Sequence, residues 1–296
     1  MATLIRPTAR EDRPLVDVHA CRNPKRLELG IRLHEQGRYQ RAAKVFAGLD
    51  TLARPHPEAR YFHALCLNEL GQSDRAVQLM ESVVQVRPRM TGALYNLGYL
   101  HDRQGNRASA EIYYRRVLEM DPTFVSAWLN LGNCLIGRGA WPEGINAFGE
   151  AMKLAPRSPQ PLINLAHTRL LLGDYQQGWR LYHERWNLPD FRARNGLTTE
   201  NPGKAWVGQP IAGQRLVVFR EQGTGDVIQM LRYDEALRAM GAEVIWRVPA
   251  HLFRLVSAST PSTVVTDAER LPEHDYIVPV MSLPLFCGTH KVSSIP

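Results

Sequence analysis

Two groups of residues in this 296-residue chain have the types and spacing for chemistry. The first is the run Glu221-Gln222-Gly223-Thr224-Gly225-Asp226, which follows the apolar stretch 215–219 and opens an amphipathic one. Glycines at a strand-to-helix turn let a ligand approach the backbone, and the N-terminus of the helix beyond favours an anion. Ile228 stands where G-x-G-x-x-G would place its third glycine, so the run does not predict a dinucleotide site. The competing reading makes Asp226 a plain helix cap, worth about 1 kcal/mol. The second group is Asn96, Asn130 and Asn164, spaced 34 residues apart. Each amide offers one acceptor and two donors, enough to grip the backbone of an extended peptide without reading its side chains.

The elements that must position these asparagines form a repeat. Segments of 34 residues begin at Asn23, Pro57, Thr91, Val125 and Pro159. Their eighth position reads Gly30, Ala64, Gly98, Gly132, Ala166, and their fifteenth Gly37, Gly71, Gly105, Gly139, Gly173. The twentieth reads Ala42, Ala76, Ala110, Gly144, Gly178, and the twenty-fourth Phe46, Met80, Tyr114, Phe148, Tyr182. Small residues recur where two helices approach closely, and a large one recurs where a neighbouring hairpin needs a knob. Pro88, Pro122 and Pro156 stop the second helix of the middle units.

This register resembles the tetratricopeptide repeat (TPR) family, most closely over ALYNLGYLHDRQGNRASAEIYYRRVLEMDP at 93–122. The resemblance implies an α-helical solenoid of about five repeats over 23–191, with stability drawn from stacked neighbours and a concave groove lined by the first helix of each unit. Asn96, Asn130 and Asn164 fall at the sixth position of those helices, beside Tyr95, Tyr99, Asn133 and His167. The expected partner there is a protein or peptide; the alternative is that asparagine is simply common at this position.

After the fifth copy the pattern changes. Residues 192–214, rich in Gly, Pro, Asn and Thr, read as a linker. Beyond it, 215–219, 243–248, 262–265 and 275–280 read as strands, and 226–240 and 251–258 as helices. That alternation predicts a parallel, Rossmann-like sheet over 215–296. Together, GDYQQGWRLYHERW, AWVGQPIAGQRLVVFREQGTGDVIQMLRY and DYIVPVMSLPLFCG resemble a bacterial family of TPR proteins fused to a heptosyltransferase-like glycosyltransferase of the GT-B type. The resemblance implies that Asp226 is the general base for an acceptor hydroxyl. It also implies that Gly223 and Gly225 shape the acceptor pocket, with Glu221, Gln222, Gln229, Arg232 and Ser282 as lesser members. GT-B enzymes bind the nucleotide-sugar mainly on a second such domain, so the resemblance implies only the N-terminal half of one, inactive alone.

Composition narrows the remaining choices. The formal charge is +7, and residues 1–60 hold twelve Lys and Arg against seven Asp and Glu, with 1–22 reading as a basic arm. No recognised nucleic-acid-binding motif accompanies that charge, so nucleic acid is not an expected partner. Four scattered cysteines, no secretory leader and no long apolar stretch predict a cytoplasmic protein without a membrane span. No cofactor or metal site is expected, since no His, Cys and carboxylate cluster has ligand spacing. Two functions follow: a TPR arm that recruits a protein for glycosyl transfer, or a pure TPR adaptor with a non-catalytic α/β cap.

Overall fold

The computed structural model describes residues 23–50, 56–188, 204–221 and 223–296. The 1–22 arm, Gln222 and most of the 192–214 linker lie outside the described residues. The chain divides into two compact units, Met1–Pro156 and Arg157–Pro296.

The first unit is four helical hairpins: α1 (Pro24–Glu35) with α2 (Tyr39–Asp50), α3 (Pro57–Glu69) with α4 (Ser73–Val86), α5 (Thr91–Arg103) with α6 (Arg107–Met120), and α7 (Val125–Gly137) with α8 (Trp141–Leu154). Asn23 starts the series, its side-chain oxygen accepting from the Arg26 N–H ahead of Pro24. Each hairpin turns at the glycine of the fifteenth position, where φ is positive: 71° at Gly37, 77° at Gly71, 83° at Gly105 and 82° at Gly139. The next N–H reaches back to close the helix end, as Gln72 N to Leu67 O at 2.8 Å and Asn106 N to His101 O at 2.8 Å. A Cβ there would force a side chain into left-handed backbone, which is why that column is invariant glycine.

Within a hairpin the small residue of the eighth position faces the large residue of the twenty-fourth. A Cβ added at Gly30 would lie 2.5 Å from the Phe46 ring, and one at Gly98 would lie 2.9 Å from Tyr114. At Gly132 it would lie 2.7 Å from Cδ1 of Phe148. All three aromatic rings are buried. In the second hairpin the pair is Ala64 and Met80, both buried.

The second unit opens with a fifth hairpin, α9 (Pro159–Leu171) and α10 (Tyr175–Glu184), the latter running into a 3-10 turn at Arg185–Asn187. It continues into a small parallel sheet of β1 (Lys204–Ala205), β2 (Arg215–Phe219), β3 (Glu243–Val248), β4 (Thr263–Thr266) and β5 (Tyr276–Pro279), in the order β1-β5-β2-β3-β4. Alternate residues point to opposite faces. Val217, Ile245, Val265 and Ile277 cluster on one face, while Leu216, Val218, Val244, Trp246 and Val278 join the larger core on the other.

Strands β2 and β3 match their expected ranges, because each is a run of mostly β-branched and aromatic residues. Two features differ. Strand β1, in the segment read as linker, is too short to show a pattern and is held by pairing Lys204 with Tyr276 and Ala205 with Ile277. The single helix read over 226–240 is broken into α11 (Thr224–Met230), a 3-10 turn at Leu231–Tyr233, and α12 (Asp234–Ala239). The break turns two neighbours inward. Tyr233 Oη meets Thr289 Oγ1 at 2.7 Å, and Asp234 accepts from Trp246 Nε1 at 2.7 Å and Thr260 Oγ1 at 2.6 Å. The remaining helices are α13 (Phe253–Ser259) and the short α14 (Leu283–Phe286), which follows a 3-10 turn at Val280–Ser282.

Candidate functional site

The asparagine column is buried. Asn96 is 5%, Asn130 0% and Asn164 5% exposed. Asn96 Nδ2 donates to Tyr61 Oη at 3.0 Å and to the Gly92 carbonyl at 2.8 Å, and Asn130 Nδ2 donates to Tyr95 Oη at 2.7 Å. The amide of one repeat therefore braces the phenol of the repeat before it. Asn164, in the second unit, accepts through Oδ1 from Gln160 Nε2 at 2.8 Å. The register held a signal for this brace, a Tyr at the fifth position always one repeat ahead of a bonded Asn. Every residue of α5 from Gly92 to Leu100 is buried, including Tyr95 and Tyr99. Of the other groove candidates Asn133 is half-buried and His167, on α9 of the second unit, is exposed and stacks on Tyr182 with ring centroids 5.4 Å apart.

The glycine turn gathers fewer of its expected members. Asp226, in the first turn of α11, accepts from the Gly223 N–H at 3.1 Å, so its carboxylate closes the start of its own helix. Gly223, Gly225, Gln229 and Arg232 are exposed, and the Arg232 guanidinium bonds back to the Gln229 carbonyl at 2.7 Å.

Glu221 and Ser282 turn away from that surface into a junction beneath α10. The Glu221 side chain and that of Arg185 are both fully buried and form an ion pair. The same carboxylate accepts from Trp186 Nε1 at 3.0 Å and, through its other oxygen, from the Met281 N–H at 2.9 Å. Arg185 also donates to the Tyr182 carbonyl and lies 3.6 Å over the Tyr182 ring. Ser282 is buried against His183, Oγ to Nδ1 at 2.9 Å, and His183 meets Phe286 edge-on. Sequence reading missed Arg185, Trp186 and His183, although all three stand in the WRLYHERW run that carried the resemblance.

Burial pushes the Glu221 carboxyl above the usual carboxylate range, while the Arg185 charge and the Met281, Arg185 and Trp186 donors pull it back. Burial, then the Arg185 charge, lowers the His183 imidazole from 6.5 to about 4. The depressed value fixes the sign: below pH 6.5 the unfolded chain takes up a proton that the folded unit refuses, so His183 costs stability progressively from 6.5 down to about 4. His183→Gln is expected to flatten the acid side of a plot of the second unit's melting temperature against pH between 7 and 4.5. An unaltered slope would place the acid-sensitive group elsewhere.

Among the described residues, no group of three or more His, Cys, Asp or Glu is arranged to hold a metal ion, and no helix is long and apolar enough to cross a membrane.

A tetratricopeptide-repeat family model matches residues 68–123 and 95–160, and a second one matches 33–89. The hairpins between 33 and 160 are tetratricopeptide repeats. Protein FlbA of Caulobacter vibrioides is 29% identical over 197 residues, 63% of this chain and 31% of FlbA. Tetratricopeptide repeat protein 6 of Homo sapiens is 24% identical over 148 residues, 50% of this chain and 28% of that protein. Each match thus spans less than a third of the curated relative. Among solved structures, MamA 41-end from Desulfovibrio magneticus RS-1 aligns with a TM-score of 0.54 at 20% identity, covering 60% of this chain and 98% of that one. That likeness is one of fold. The TPR family models end at residue 160, short of the parallel sheet.

Proposed function

We propose that this chain is a TPR protein-interaction scaffold in which the α/β block serves as a non-catalytic cap on the last hairpin. The observation that carries the reading is the junction of the second unit. A solenoid needs its terminal apolar face covered. Here Trp179 of α10 packs against the core of the sheet, and Arg185 and Trp186 close on Glu221. Residues that the glycosyltransferase resemblance assigns to an acceptor pocket, Glu221 and Ser282, are spent in that cover. Asp226 is occupied at its helix start. Glycosyl transfer, with the TPR arm recruiting a protein substrate, rests on the resemblance alone.

The partner expected is a protein or peptide segment. Since Asn96 and Asn130 are used between repeats and Asn164 bonds within its own helix, its contacts fall to partly exposed side chains around them, Asn133 in the first unit foremost. Peptides selected by display on the full chain are expected to bind with micromolar Kd, about −8 kcal/mol, and to weaken with Asn133→Ala. Isothermal titration with nucleotide-sugars is expected to give no saturable heat. Saturable nucleotide-sugar binding abolished by Asp226→Asn would replace the scaffold reading with the transferase one, and failure to select any peptide would remove its basis.

A further inference from the structure

The 34-residue register makes surface positions comparable between repeats, and one set of them is unlike the rest. At the start of α2 and along it, the sixteenth, nineteenth and twenty-second positions are Arg38, Arg41 and Lys44, all exposed. Three-residue steps keep them on one stripe of the helix. The same positions read Gln72, Arg75, Gln78 in the second repeat, Asn106, Ser109, Ile112 in the third and Ala140, Glu143, Asn146 in the fourth. A fourth cation extends the stripe. The exposed Arg26 of α1 lays its guanidinium against Gly48, in contact with the space that a Cβ there would fill.

Several arginines of the later repeats pair with carboxylates. Arg60 pairs with Asp50 at 2.5 Å, Arg107 with Asp102 at 3.9 Å and Arg115 with Glu111 and Glu143, each at 2.9 Å. Among the described residues, Arg26, Arg38, Arg41 and Lys44 have no carboxylate within ion-pair distance. An open depression of about 490 Å³ lies at one end of the stripe, lined by Gly37, Arg38, Tyr39, Gln40, Arg41 and Leu70.

We infer that this stripe on the first repeat is a docking site for an acidic peptide segment of a partner protein. The inference rests on the scaffold reading and adds to it the partner's charge and a surface away from the asparagine column. From Arg38 to Gly48 the helix rises about 15 Å, a length that about five extended residues cover. Cations with no carboxylate partner among the described residues gain attraction from an acidic run, and the gain fades with salt. Single-stranded nucleic acid fits less well, because its bases gain from stacking on aromatic side chains. The ring beside these cations, Tyr39, is instead packed edge-on against His34 with centroids 5.4 Å apart.

The test is fluorescence anisotropy of the full chain with labelled octaglutamate, octaglutamine and an eight-nucleotide oligothymidylate, at low and high salt. Octaglutamate is expected to bind, to weaken at least tenfold in Arg38→Glu/Arg41→Glu/Lys44→Glu and by less in the corresponding triple Gln variant, and to be released by salt. Circular dichroism checks that both variants keep their helices, and a misfolded Glu variant leaves the Gln variant as the test. Octaglutamate binding that the variants leave unchanged, no octaglutamate binding at all, or tighter binding of the oligothymidylate would each overturn the inference. If display-selected peptides still bind through Asn133 in that event, the stripe is retired and the scaffold reading stands.

Discussion

Glu221→Leu is expected to destabilise the second unit by about 3–5 kcal/mol, the usual consequence of removing one member of a buried ion pair. The substitution strands the Arg185 guanidinium in a fully buried position and removes the acceptor of Trp186 Nε1 and of the Met281 N–H. Arg185→Met should cost a similar amount by leaving the carboxylate unpaired. The double variant should cost clearly less than the two singles added, because two apolar side chains remove both charges at once. Trp186 and Met281 keep some of the penalty, since each loses a bond in either background. Tryptophan fluorescence in a urea titration suits the measurement, as Trp179, Trp186, Trp206 and Trp246 all lie in the second unit. Strict additivity would mean that the pair is not coupled and that the cap is held by apolar contact alone.

Phe148→Ala should lower the stability of the first unit by about 3–5 kcal/mol through the cavity it leaves. Gly132→Val should cost about 1–3 kcal/mol for the opposite reason, because the Phe148 ring already fills the space that a side chain would take. The two changes belong to one packing unit, so Gly132→Val in the Phe148→Ala background should be nearly neutral or restorative. Chemical denaturation of the three variants beside the wild type decides it. A glycine substitution that costs the same with or without the ring would show that backbone conformation, not the ring, dictates glycine at that position.

The hairpins were legible because their physics is local and recurs. Gly37, Gly71, Gly105 and Gly139 mark turns that only a left-handed residue closes, and the fit of Gly132 to Phe148 lies within one hairpin. Strands β2 and β3 were legible because their composition is uniform. What escaped reading depends on partners far away in the chain. Asn130 reads as a peptide-gripping amide until Tyr95, 35 residues earlier, is seen to hold it. Glu221 sits next to a glycine turn in sequence, yet its bonds go to Arg185, Trp186 and Met281. The break after Met230 answers to Thr289 and Trp246, neither within the helix pattern itself. Local chemistry proposes a role for such residues, and the tertiary partner assigns it.

By period α10 closes the repeat series, while its Trp179 packs against the core of the sheet and Arg185, just beyond it, pairs with Glu221. A scissor cut in the unpatterned stretch near residue 195, where the composition invites it, would leave Trp179, Arg185 and Trp186 facing water on one fragment and Glu221 without its counter-ion on the other. The boundary between the two compact units falls instead at Pro156, so the last hairpin belongs with the sheet.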